Sequence, residues 1–238
     1  MLAFVQGIAS FHLLRESNPL LAMARLGLDR RRLRGVPGLR MWRLLGTGDG
    51  SHTGPGADLR RTALFAIWDD DASLEAHLIR TAPRLVAADE SWHVRLRALG
   101  GHGSWRGEDV LGQLTPARSA TGPVAIITRA DVRVRSWAAF RRAGRPVSDE
   151  LQTADGLLAV VGFGEAPFGR LGTFSLWRDI DAVRGFARMP VHRQVVHRTR
   201  DQRWYGEELF ARFQPYASSG RWDGRDPLRL PITGINMP

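Results

Sequence analysis

Apolar positions alternate with polar ones over short stretches and fall three or four apart over longer ones, so the chain reads as strands interleaved with helices. Leu2 to Phe11 predicts a first strand. Ser17-Asn18-Pro19 then offers a cap and a first-turn proline to a helix carrying Leu20, Leu21, Met23, Ala24 and Leu26, which Gly27 is expected to end. Leu39 to Leu45 and Thr62 to Trp68 read as strands two and three, with the glycine-rich loop Gly46 to Gly56 between them. That loop has no helix behind it, so its GxGxG look does not make a dinucleotide site. Asp69-Asp70-Asp71 opens a second helix through Leu74, Leu78 and Ile79, which Pro83 is expected to punctuate, and Trp92 to Leu99 alternates as strand four. Three adjacent carboxylates suit a helix start, where unpaired amides stabilise them, better than a metal site.

The plan then repeats. Val124 to Thr128 predicts a strand, Trp137 to Arg142 a helix, Leu157 to Phe163 and Thr173 to Trp177 two strands, Ile180 to Arg188 a helix, Pro190 a second helix start, and Leu209 to Phe213 a last strand. Four landmarks recur in order. Phe65 to Asp69 matches Phe174 to Arg178, Gly103 to Asp109 matches Gly220 to Asp226, Leu44 to Gly48 matches Val160 to Gly164, and Val5 to Ser10 matches Val124 to Arg129. Such a long two-copy period means a duplicated unit rather than a solenoid. Each copy orders its elements as strand, helix, strand, strand, helix, strand, the ferredoxin-like arrangement. The expected fold is α+β, two tandem ferredoxin-like repeats packed as an α+β barrel with a cavity between the two sheets. The expected organisation is an N-terminal half at 1–113, a linker at 114–122, a C-terminal half at 123–228 and a tail at 229–238.

Composition narrows the chemistry. There is no cysteine, which excludes disulfides, thiolate metal sites and a cysteine nucleophile. The net charge of +10 would suggest an anionic partner, but all 34 basic residues are dispersed arginines, and no aromatic residues interleave with a basic groove. No nucleic-acid partner is expected. The dense run Arg30-Arg31-Arg32-Leu33-Arg34 reads as the solvated end of a helix. No stretch is apolar enough for an integral membrane segment, and Met1 to Phe11 lacks the basic region and cleavage site of a signal peptide, so the default location is cytoplasmic.

Ala88-Asp89-Glu90-Ser91, Thr128-Arg129-Ala130, Gly164-Glu165-Ala166-Pro167-Phe168, Phe174-Ser175-Leu176-Trp177, Phe186-Ala187-Arg188, Glu207 to Phe213 and the two Gly-x-Trp-x-Gly stretches carry a resemblance. In order and spacing they resemble the spheroidene monooxygenase family of carotenoid ketolases, from about Leu39 to Pro227. The resemblance implies a haem-binding α+β barrel that inserts oxygen into an apolar polyene. It also implies that His192, in the segment after Phe-Ala-Arg, is the axial ligand of a haem b iron. Val191-His192 stands where the family has two histidines.

With no cysteine, haem iron must be held by His, Tyr or Met. His192 and His197 share one predicted helix, but five residues turn through about 140°, so both cannot face one iron. Haem carries two carboxylates, for which Arg188, Arg193 and Arg129 are candidate partners. Trp204 and Trp177 are candidate walls. Glu165 reads either as a polar group at the cavity mouth or as a turn acid facing water. No distal polar residue stands out. The expected function is a haem-dependent, monooxygenase-like oxidoreductase acting on a small hydrophobic, aromatic or natural-product molecule. The alternatives are haem-dependent dehydration or nitrogen–oxygen chemistry on a biosynthetic intermediate, and a barrel that binds haem or another ligand without turnover. A homodimer is compatible with this plan but not needed to complete the barrel.

Overall fold

The computed structural model describes residues 7–48, 57–117, 119–165 and 169–229. Its strands are β1 (Ile8–Arg15), β2 (Leu39–Gly48), β3 (Ala57–Trp68), β4 (Glu90–Gly103), β5 (Val124–Val132), β6 (Leu157–Glu165), β7 (Arg170–Trp177) and β8 (Tyr205–Gly220). The helices are α1 (Pro19–Leu33), α2 (Asp71–Ala87), α3 (Trp137–Gln152), α4 (Ile180–Ala187) and α5 (Pro190–Asp201), with a short 3₁₀ turn before α3. Among the described residues no helix is long and apolar enough to cross a membrane. The predicted glycine loop lies largely outside the described residues, as do the start of the predicted first strand and the tail after residue 229.

The strands close into one antiparallel barrel in the order β1-β3-β2-β6-β7-β5-β8-β4. Each half contributes the ferredoxin-like order 4-1-3-2. The halves meet along a long seam from Trp92↔Gly220 to Gly103↔Leu209 and a short one, Gly46↔Gly164 and Thr47↔Phe163. Strand pairing sets the correspondence between the copies. Ile8 opposes Trp68 as Val124 opposes Trp177, so Ile8, and not Val5, is the counterpart of Val124.

Alternation within the strands puts Phe11, Phe65, Phe174 and Phe213 inside the barrel. These side chains pack together in the space between the sheets, where a cavity was expected. Phe11 and Phe174 stack across the centre with ring centroids 3.9 Å apart. The two Gly-x-Trp turns plug the ends. Trp105 stacks on Phe65 and Phe163, while Trp222 packs on Trp92. Each turn is held by a glutamate: Glu207 accepts from the amides of Arg106 and Gly107, and Glu90 from those of Asp223 and Gly224.

The helices lie on the outer faces. Asn18 caps α1 through the Leu20 amide at 2.8 Å. Contrary to expectation, Gly27 does not end α1. A mid-helix glycine costs only about 1 kcal/mol, and continuing buries Leu33 and lets Asp29 pair with Arg84 of α2. The arginine run closes this helix as expected. Asp70 caps α2 by accepting from the Ser73 amide at 2.8 Å, and Asp71 accepts from Arg95 and Tyr216. Pro83 lies inside α2 without breaking it. Pro83 itself is exposed, so its ring displaces no packed side chain.

Candidate functional site

Pro190 starts α5 straight after the end of α4. Proline lacks an amide proton and fixes its own φ, which suits a first turn and stops a helix running into it. Within α5, His192, Val195, Val196 and Thr199 turn inward at helical spacing, while Arg193, His197, Arg198 and Arg200 are exposed. The His192 ring lies 4.9 Å from that of Phe186. Burial pushes its imidazole below the ordinary histidine value, and the Ala187 backbone and Glu150 of α3 offset only part of this. His192 Nδ1 and Glu150 Oε2 are both buried without a hydrogen-bond partner among the described residues. Leaving a buried polar atom unpaired costs about 1–3 kcal/mol.

The other expected site residues are dispersed. Arg188 and Arg193 are exposed on either side of the α4–α5 junction, close in sequence to His192. Arg129 is elsewhere. It shares the inward face of β5 with Ala125 and Ile127, pairs with Glu207, and approaches Glu165 at 3.5 Å. Burial would raise the Glu207 carboxyl, but the Ser104 hydroxyl, the Gly107 and Arg106 amides and Arg129 together hold it down at about 2. Glu165 is not a turn acid facing water: it is buried and accepts from Trp105 Nε1 at 2.6 Å. Trp204 is buried beside the end of α5, its amide donating to the Thr199 carbonyl and its indole to Gln202.

The structure also gathers three histidines that lie far apart in the sequence. On the outer face of the N-terminal half, His12 of β1, His77 of α2 and His93 of β4 meet. The His12 and His93 rings are stacked 5.6 Å apart, and His77 lies edge-on to His12 at 6.5 Å. Burial pushes all three below the ordinary value, His77 and His93 to about 4. Trp68 Nε1 donates to Ser10 Oγ at 2.8 Å, and Ser10 Oγ lies 2.8 Å from His12 Nε2. The serine oxygen accepts from the indole and keeps one proton and one lone pair for His12 Nε2, so this hydrogen bond forms with either neutral tautomer of His12. A cavity of about 490 Å³ lies against this cluster. Among the described residues, no group of three or more His, Cys, Asp or Glu is arranged to hold a metal ion.

The fold and these two outer-face sites define a single-chain α+β barrel with imidazoles placed under its helices. No protein-family model matches the chain. The sequence is 35% identical over 197 residues to a spheroidene monooxygenase of Rubrivivax gelatinosus, covering 80% of this chain and 74% of that one. It is 30% identical over 207 residues to a spheroidene monooxygenase of Rhodobacter capsulatus, covering 84% and 86%. The chain belongs to the spheroidene monooxygenase family. Among solved structures, an aldoxime dehydratase in complex with butyraldoxime matches with a TM-score of 0.59 at 10% identity, covering 90% of this chain and 80% of that one. Another aldoxime dehydratase gives 0.59 at 11%, covering 98% and 90%. At such identity these two share the fold alone.

Proposed function

We propose that this chain is a monooxygenase acting on an extended apolar molecule of the carotenoid class, and that it does so with a haem held at His192. The observation that carries the haem reading is the half-buried His192 imidazole, with Nδ1 unpaired and the ring seated on Phe186. It fits the group, because an axial ligand must be neutral and available, and burial keeps this imidazole neutral near pH 7. A haem bound there would supply the oxygen activation. The chain's part is to orient the ligand, which the Pro190 start of α5 does by fixing the first turn. Arg188 and Arg193, exposed on either side of the helix junction, are open to carboxylates. Arg129 faces its own acids inside the barrel wall and is left out of this role, and Trp204 packs at the far end of α5. Family membership supports oxygen insertion over the dehydration alternative.

The test is the absorption spectrum of the full chain after haem addition. Wild type and His197→Ala are expected to give the same strong violet band, and His192→Ala to lose it while keeping its circular dichroism. If His192→Ala keeps an unchanged haem spectrum, the ligand is another residue. A wild type that takes up no haem overturns the cofactor reading.

A further inference from the structure

The cavity of about 490 Å³ under α1 and α2 lies in the size range of small-molecule sites. It is on the other half of the barrel from His192, and nothing in the proposed reaction uses it. Leu14, Leu64 and Leu85 contribute aliphatic wall, and the imidazoles of His12, His77 and His93 reach it from three separate elements. Among the described residues, one of the six ring nitrogens has a hydrogen-bond partner, His12 Nε2 on Ser10. Neutral imidazoles present both N–H donors and bare nitrogen acceptors. The three side chains are half-buried, and none of these nitrogens is both sealed from solvent and unpaired, so a guest in the cavity would meet them in place of water.

Charge around the cavity narrows the guest. Arg84 is occupied by Asp29 and Glu16, and Arg32 lies 3.7 Å from Asp29, so these arginines are partly neutralised at the rim. A cation would meet Arg80 and Arg84 beside His77 and Arg95 beside His93. A carboxylate would give up its water to reach imidazoles that burial keeps uncharged. A neutral oxygen avoids both penalties. We propose that this cavity binds an apolar molecule carrying one neutral oxygen group, a ketone, ether or alcohol, whose oxygen is taken by the imidazoles of His77 and His93.

The probe is 2-nonanone, titrated into the full chain by calorimetry, with nonanoate as the charged comparator. Saturable one-to-one binding of the ketone is expected, tighter than that of nonanoate. His77→Leu with His93→Leu keeps apolar volume and should weaken ketone binding about tenfold, the worth of a hydrogen bond. In wild-type protein labelled with ¹⁵N-histidine, the ketone should shift the ring signals of His12, His77 and His93 and leave those of His102 and His197 in place, a readout that needs no variant. The proposal is overturned if nonanoate binds more tightly, if the double variant binds the ketone as wild type does, or if the three ring signals stay still. Repeating the titration in His192→Ala separates the two sites: ketone binding should persist there even where haem is lost.

Discussion

Trp68 in the N-terminal half and Trp177 in the C-terminal half occupy matching places, each opposite the first residue of the neighbouring strand, Ile8 or Val124. Their indole N–H groups are satisfied differently. Trp177 donates to Ser175, two residues back on its own strand, at 2.9 Å, whereas Trp68 donates across to Ser10 of β1. The crossing leaves Ser10 free to bond His12, whose counterpart is Thr128, paired with Thr173 at 2.6 Å. Against Trp68 lies His77, ring centroids 5.0 Å apart. Against Trp177, at the matching helix position, lies Phe186 at 5.5 Å. The interior is shared because it must pack, while the outer faces have diverged into a three-imidazole cavity on one half and a lone His192 on the other.

That contrast can be attacked at several strengths. Truncating the shared frame should cost most: Phe174→Ala removes the ring stacked on Phe11 and is expected to lose about 3–5 kcal/mol in urea unfolding. Next comes Gly172→Ala. A methyl there would sit 2.5 Å from the Thr128 carbonyl oxygen and 2.3 Å from the Phe163 ring, so a loss of about 1–3 kcal/mol is expected. At the matching place the N-terminal half already holds Ala63, opposite the smaller Leu45. Its reversal, Ala63→Gly, should cost less, about 0.5–1 kcal/mol.

Ser10→Ala and Ser175→Ala should each leave an indole N–H unpaired, for about 1–3 kcal/mol. Only Ser10→Ala should move the Nε2 signal of His12 in its ring ¹⁵N spectrum, because only there is a partner of that nitrogen removed.

Stability should also depend on pH. Burial comes first among the causes that lower His77 and His93 to about 4, with Arg80 and Arg84 adding to it at His77 and Arg95 at His93; Asp29 and Asp226 oppose it. The unfolded chain then binds more protons than the folded one between about 6.5 and 4. The stability these histidines contribute is fully present above about pH 6.5 and is lost as pH falls towards 4. His77→Phe, which copies Phe186, should flatten that loss of urea midpoint between pH 7 and 5. An undiminished slope would mean that His77 does not contribute to it.

Much of the frame was legible because alternation, caps and the Pro190 break are local. Asp70 and Asp179 cap their helices with nearly the same geometry, as the matching positions after Trp68 and Trp177 suggest. What escaped depends on distant neighbours. The reason α1 passes Gly27 lies in Arg84, more than fifty positions on. Glu165 looks like a turn acid until Trp105 folds over it. His12, His77 and His93 become neighbours only through the His12↔His93 register and the seat of α2 on the sheet. One signal was available: aligning the copies on Trp68 and Trp177 puts His77 on Phe186, an inward position, and marks it as more than a solvated helix residue. For His192, helical spacing correctly separated it from the exposed His197, but nothing local indicated the unpaired Glu150 on the facing helix.

Closure of the barrel has a consequence for how the protein responds to dilution. Two separate half-length chains would have to meet before either could cover its inner face, and their stability would fall as they were diluted. Here the segment between β4 and β5 joins the halves, with Leu114 buried and Gly7 and Ala98 bridged to it. Encounter becomes an event within one molecule, at an effective concentration set by the length of that connection. Every strand of the described barrel has a neighbour on both sides. Among the described residues, what sheet edge remains lies along the β2–β6 seam, where only Gly46↔Gly164 and Thr47↔Phe163 pair.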